Sequence, residues 1–245
     1  MIEKYYIFYI LAFFAEILGT ISGFGSSILF VPISSLFFDF HLILGITAVF
    51  HVFSNASKMV LFRDGIDKTI VLKLGIPAVS FVILGAWMNK LFPQGQMELL
   101  LSIVLIALSV YLLIYSTKSL EQNNRNLIAG GAASGFVAGF VGTGGAIRGI
   151  VLAAFNLEKN VFISTSAFID MGVDSSRAVV YYLNGYIGKE ILVLLPALIV
   201  ISITGTWIGK KLLKYIPQKQ FIWLVIGVVI TTSLVQLVNY LVGSN

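Results

Sequence analysis

A-G-F-V-G-T-G-G-A-I-R-G-I (residues 138–150) places Gly142, Thr143, Gly144 and Gly145, and then Arg148, inside an otherwise apolar run. An arginine one turn beyond a glycine break, with hydrophobic residues on both sides, is not there for solubility. Much earlier the chain reads T-I-S-G-F-G-S-S-I-L-F-V-P (residues 20–32). Subtracting 119 brings Gly142, Gly144, Ala146 and Ile147 onto Gly23, Gly25, Ser27 and Ile28. At the same offset Pro196 falls on Pro77, and at 120 Trp207 and Lys210 fall on Trp87 and Lys90. Proline and tryptophan are scarce here, so this register points to two copies of one unit.

Composition sets the solvent. Of 245 residues, 58% are hydrophobic and 11% charged, against about 25% charged in a soluble domain. The chain reads as an all-α, multi-pass protein of the cell membrane. There are no cysteines and two histidines, which excludes disulfides, thiolate chemistry and a histidine-rich metal site. No cofactor or metal is expected. The net charge of +5 reads as a bias toward one membrane face and not as a nucleic-acid footprint. The apolar N-terminal stretch continues to Phe38 without a cleavage site and is kept in the fold, not read as a signal peptide.

Apolar runs cover 5–38, 42–62, 69–91 and 97–116 in a first repeat, residues 1–117. A polar linker, 118–126, leads to a second repeat, residues 127–245, with runs at 127–155, 161–183, 191–212 and 221–242. One crossing needs about 20 residues, and the first run of each repeat is longer and interrupted by glycine. The pieces after the breaks hold about ten residues, half of a ~30 Å core at 1.5 Å per residue. Each first run is therefore expected to be a broken helical hairpin with its tip inside the membrane, followed by three transmembrane helices. Hairpins make the number of crossings per repeat odd and the second repeat inverted. Arg63, Lys68, Lys118, Arg125, Lys159, Lys210, Lys211, Lys214 and Lys219 then share one face, with Lys4, Lys90 and Lys189 on the other. The positive-inside rule makes the first face cytoplasmic and puts both termini outside. Inverted repeats with interrupted helices point to a secondary transporter with its site between the repeats.

The breaks have two readings. Small residues let helices approach closely; alternatively, freed N–H groups at two helix starts hold an anion in a shared cavity. On the second reading Gly23, Gly25, Ser26, Ser27, Gly142, Thr143, Gly144 and Gly145 line a substrate site. Arg148 either clamps the anion with its planar fork or forms an ion pair with Asp170 or Asp174. The second run of each repeat is polar at matched positions: His51, Asn55 and Lys58 superimpose on Asp170, Asp174 and Arg177. Spacings of four and three put each trio on one helix face. These six form an ion-pair network or include the carrier of a driving proton, with Asp174 and His51 preferred for that role. Lys58 and Arg177 read as vestibule charges or as snorkelling side chains. Glu16 is left between a paired, an interfacial and a functional role.

The two glycine motifs, G-F-G-S-S-I-L-F-V-P and G-T-G-G-A-I, each precede a T/S-A-F-like second run, Thr47-Ala48-Val49-Phe50 and Ser166-Ala167-Phe168. In these features, and over nearly its whole length, the chain resembles the sulfite exporter TauE/SafE family. The resemblance implies export or uptake of small sulfur anions such as sulfite, sulfoacetate or thiosulfate. Ser26 and Ser27 stand where more glycine is common, and Val151 stands opposite Pro32. The expected function is a secondary carrier for sulfite or an organosulfonate, with a small anion, the lipid bilayer and protons as partners. A channel, or an uptake carrier for another oxyanion, is the alternative. A membrane enzyme is disfavoured, because no H-E-x-x-H or G-x-S-x-G motif occurs. The sequence does not set an oligomeric state.

Overall fold

A computed structural model describes residues 2–63, 65–115, 121–215, 234 and 238. The expected final helix 221–242, the start of the linker at 118–120, and Lys219 lie outside the described residues, apart from 234 and 238. Among the described residues the secondary structure is helical throughout. The elements are α1 (Ile2–Ser22), α2 (Ser27–Ser34), α3 (Phe40–Leu61), α4 (Lys68–Asn89) and α5 (Gln94–Tyr115). They continue as α6 (Asn124–Val141), α7 (Gly145–Ala153), α8 (Lys159–Leu183) and α9 (Lys189–Leu212). Within α4 the turn Val71–Gly75 is a π-helix. It directly precedes Pro77, whose missing N–H and ring disturb the normal helix ladder.

Both first runs fold back at their glycines. After α1 the chain reverses through Gly23 and Gly25, both with positive φ. The segment after α2 then returns Phe38 to ring contact with Tyr5 and Phe8. After α6 it reverses through Gly142, at φ 88°, and α7 runs back along α6, with Val151 against Gly130 and Gly144 against Ser134. Only glycine takes such left-handed turns without a Cβ penalty. The returning helices have 8 and 9 residues, so they span about 12–14 Å. Every residue of α2 is buried, as an irregular segment at membrane depth requires.

Among the described residues, four helices are long and apolar enough to cross a membrane: residues Tyr5–Ser22 of α1, together with α3, α4 and α9. Their exposed faces carry large apolar side chains, including Ile10, Leu72, Ile76, Val193 and Val200, the pattern of a lipid-facing surface. Trp87 and Trp207 are exposed near the ends of α4 and α9, and the Lys211 ammonium lies 3.5 Å from the Trp207 ring centre. Amphipathic rings of this kind suit the headgroup level.

Helix packing comes in matched pairs. α1 packs on α9, and α6 packs on α4; α9 packs on α3, and α4 packs on α8; α3 and α8 pack on each other. The α4–α6 seam is built from Gly131, Gly135 and Gly139, one residue per turn. A Cβ at each would stand 2.2, 2.1 and 2.1 Å from the carbonyl oxygens of Leu74, Ala78 and Val82. The two backbones therefore touch directly, as small-xxx-small stripes allow. Gly205 and Gly209 of α9 instead make room for the side chains of Glu16 and Thr20 of α1.

The helix ends sort the loops. At one end Lys210 donates to the Leu61 carbonyl, Lys73 to Asn124, and Ser164 to the Gly65 carbonyl. At the other, Asn184 donates to the Ala86 carbonyl, Tyr186 to Asn89, and His41 stacks on Tyr186. The described basic residues Arg63, Lys68, Arg125, Lys159, Lys210 and Lys211 belong to the first end, Lys90 and Lys189 to the second. Because the chain has no cysteine, single cysteines replacing Lys159 or Lys211 are expected to react with an impermeant thiol reagent only from the cytoplasm. Those replacing Lys90 or Lys189 should react only from outside. In detergent, Gly135→Ala is expected to lower stability by about 1–3 kcal/mol through overpacking. Gly188→Ala, with nothing within 4 Å of the added atom, is expected to change it by less than about 0.5 kcal/mol; thermal unfolding of both variants checks the contrast.

Candidate functional site

Breaking a helix leaves its last carbonyls without intrahelical partners. At the end of α6 these are taken up by side chains from two neighbours. Arg177 of α8 donates from one guanidinium nitrogen to the carbonyls of Gly142 (2.7 Å) and Ala138 (3.2 Å). Tyr181, one turn on, donates its hydroxyl to Gly139 (2.7 Å), and Asn89 of α4 donates to Phe140 (2.7 Å). A cation at a helix C-terminus also complements the helix dipole. The second break is thus a held geometry and not a slack loop.

The two breaks meet. Thr143 donates to Ser27 across 3.3 Å, and Gly145 and Gly149 leave room for the carbonyl and ring of Phe24. Between them lies a cavity of about 10 Å³, room for about one water molecule. Gly25 and Ser27 from the first break line it, as do Gly144, Gly145 and Arg148 from the second. His51 and Asn55 from α3, and Asp170, Asp174 and Arg177 from α8, complete the wall. Ten of the fifteen candidate residues therefore share one cavity. Gly23 packs instead on the Phe162 ring, Ser26 turns to Glu16 and His51, and Gly142 serves Arg177 through its carbonyl. Thr143 braces Ser27, and Lys58 lies behind His51 with Glu16.

Among the described residues, two ion pairs line the cavity and a third lies behind His51. Arg148 meets both oxygens of Asp170 through both terminal nitrogens, and its Nε donates to Ser166 at 3.1 Å. A guanidinium has five N–H donors; three are engaged here, and two remain. Arg177 pairs with Asp174 at 2.6 Å, and Asn55 donates to the other oxygen of Asp174 at 2.7 Å. Arg177 Nε finds no hydrogen-bond partner in the structure. The third pair joins Lys58 to Glu16 at 3.0 Å. Three cations face three anions, so the buried network is neutral when His51 is neutral. Lys58 and Arg177 are only 4% and 1% exposed, so they are buried ion-pair partners and neither vestibule charges nor snorkelling side chains.

Glu16 is the residue whose surroundings the sequence did not reveal. It is fully buried. Its Oε1 accepts from Ser54 (2.6 Å), Thr206 (2.9 Å), Thr20 (3.3 Å) and the Lys58 ammonium. Its Oε2 accepts from Ser26 at 2.6 Å. Thr20 one turn ahead of Glu16, and Ser54 one turn ahead of Lys58, were the only local signals.

Long apolar helices around a buried, charge-balanced polar centre define a polytopic membrane protein. A family model described as sulfite exporter TauE/SafE matches residues 8–235. The chain belongs to that family, one of membrane transporters for sulfur anions. No curated protein and no solved structure matches the chain significantly.

Removing one partner of a buried pair strands the other, at a cost of about 3–5 kcal/mol. Arg148→Gln is therefore expected to destabilise the protein by an amount in that range, and Arg148→Gln with Asp170→Asn to regain most of it. Unfolding temperatures of the single and double variants, compared at one detergent concentration, check this.

Proposed function

We propose that the protein is a secondary carrier of the cell membrane for a small sulfur oxyanion, sulfite or an organosulfonate, which it moves by alternating access. The observation that carries the reading is the meeting of two hairpin breaks around one buried cavity lined by Arg148 and Arg177. The first turns of α2 and α7 face that cavity, and helix N-termini favour negative charge. Arg148 keeps two unused donors while tethered to Asp170. It therefore offers a fork to an anion without first releasing its carboxylate, and the unpartnered Nε of Arg177 adds a further donor.

An inverted two-fold relation between the repeats underlies this site. The matched helix pairs support it, and so does one contact in particular. Asn55 and Asp174 are 119 positions apart, the offset that superimposes the two glycine motifs. In inverted repeats, equivalent residues meet where the two-fold axis runs. The axis then passes between α3 and α8, beside the cavity, where a repeat-interface site belongs. Glycine seams make α1–α9 and α4–α6 closely packed units, and rocking of one unit set against the other would open the cavity to each side.

The tightness of the cavity favours a carrier over an open channel. A cavity of about 10 Å³ is too small for a sulfonate headgroup, so loading requires the tips to part. No chemical step is assigned; the work is binding and translocation.

The test is uptake of radiolabelled sulfite and sulfoacetate into proteoliposomes, with anion binding measured on the same preparations. Arg148→Gln is expected to weaken binding by about 2 kcal/mol, roughly thirtyfold. The double variant with Asp170→Asn should recover stability but not affinity. Recovery of both would confine Arg148 to a structural role and leave the helix starts as the anion site. Gly25→Ala is a cleaner probe of the first tip than a change at Gly144. The added atom at Gly25 meets Arg148 and Asp170 at 3.7 and 3.9 Å, ordinary contact, whereas at Gly144 it would strike the Ser134 carbonyl at 2.0 Å. With φ at +85°, Gly25→Ala should strain the tip by about 1–2 kcal/mol and slow transport in a protein that still folds.

A further inference from the structure

The polar chain behind the cavity runs from Thr47 through His51 and Ser26 to Glu16. Its hydrogens can be counted. His51 Nδ1 lies 2.7 Å from the Thr47 carbonyl oxygen, which has no hydrogen, so Nδ1 must carry one. In a neutral imidazole Nε2 is then a bare acceptor. Ser26 Oγ lies 2.8 Å from that Nε2 and 2.6 Å from Glu16 Oε2. An ionised carboxylate is also only an acceptor. Two short contacts therefore compete for the single hydroxyl hydrogen of Ser26. One added proton removes the conflict: with Nε2 protonated, His51 donates to Ser26, and Ser26 donates to Glu16. Glu16 Oε1 already accepts from the Lys58 ammonium and three hydroxyls, whereas His51 Nε2 has only Ser26 as a partner, so the proton is assigned to the imidazole.

We propose that the Glu16–Ser26–His51 chain is a binding site for one proton, carried on His51 Nε2, that accompanies each unit of anion charge through the protein. The proposal rests on the anion-carrier reading for what travels with the proton, while the proton site itself rests on hydrogen counting alone. Charge balance points the same way. The six buried charges cancel, so a monoanion entering alone leaves the core with a net negative charge, and a monoanion with a proton leaves it neutral. His51 is the one member of the chain that also lines the cavity, so the two ligands meet there.

The groups facing His51 come from several elements. Ser54 and Lys58 lie on its own helix, Glu16 and Thr20 on α1, and Thr206 on α9; α2 presents the ring of Phe30. Across the cavity stand Arg148 on α7, and Asp170, Asp174 and Arg177 on α8. The cations among these oppose an imidazolium when the cavity holds no anion, and a bound anion offsets them. Linkage makes the effect reciprocal: the proton tightens anion binding as much as the anion tightens proton binding.

The measurement is nitrogen NMR on the full chain in lipid nanodiscs, with its histidines labelled in the imidazole ring. The chain has two histidines, and His41→Gln assigns the signals. His51 is expected to pass from the Nδ1–H tautomer to an imidazolium as pH falls, with methanesulfonate raising the imidazolium fraction at fixed pH. Methanesulfonate keeps its charge over this range, so its dissociation constant should weaken about tenfold per pH unit above the titration, as loss of one linked proton requires. Glu16→Gln, whose amide supplies the missing hydrogen to Ser26, should flatten that dependence. His51 remaining neutral at every pH at which the protein is folded, with or without the sulfonate, would overturn the proposal. If His51 titrates as expected but neither methanesulfonate nor sulfite binds or moves, the carrier reading fails and the proton site stands. If an anion moves with pH-independent binding and a neutral His51, the proton site fails and the carrier reading stands.

Discussion

A charge inside a membrane protein survives only beside its opposite, and the centre of this molecule is arranged around that constraint. The insertion cost of a lone arginine or aspartate at mid-helix is about 2.5–3.5 kcal/mol. Six such residues are gathered here into three contacts, Glu16 with Lys58, Arg148 with Asp170 and Arg177 with Asp174. Each pair dictates neighbours. Lys58 and Glu16 bring α3 to α1, Arg148 ties the returning helix α7 to α8, and Arg177 ties α8 to the broken end of α6. The helices that carry these charges could not face lipid on those sides, and the packing of α3 on α8 follows.

Close approach is the second half of the arrangement. Wherever the polar centre needs backbone and not side chain, the chain provides glycine. At the tips, positive φ turns the chain back; along α6, a glycine per turn lets α4 lie directly on it. The two devices differ in what a mutation does. A methyl group at Gly25 meets ordinary contacts and an unfavourable torsion, while a methyl group at Gly135 meets a carbonyl oxygen. Charge therefore selects which helices meet, and glycine sets how near they come.

Much of this was legible in the sequence, because both devices repeat at a fixed offset. The glycine breaks, Arg148 and the two polar trios could each be named from spacing, and ten of the candidates line one cavity. Partners across the molecule were less legible. Asp170 and Asp174 lie one turn apart on the same face, so sequence alone could not choose between them for Arg148; the return path of α7 decides. Glu16 was harder still, since Ser54, Lys58 and Thr206 stand 38, 42 and 190 positions away and no local period links them. Hydropathy also misleads for α6 and α8, which are not among the helices apolar enough to cross alone. Glycine dilutes the first and charge the second, and their polar and small-residue faces are covered by other helices.

The reach of the Glu16 cradle has a consequence for biogenesis. Helix α1 leaves the ribosome before α3 and α9, and its buried carboxylate then has none of its principal partners. Lys58 and Ser54 arrive with α3, and Thr206 arrives only with α9, 190 residues later. Until α3 is made, α1 is an apolar segment with an unanswered charge near its inner end, and it gains its glycine seam with α9 only when nearly the whole chain has been synthesised. Assembly in chain order therefore passes through a stage in which α1 is unsettled, and the last fully described helix to be made is the one that secures it.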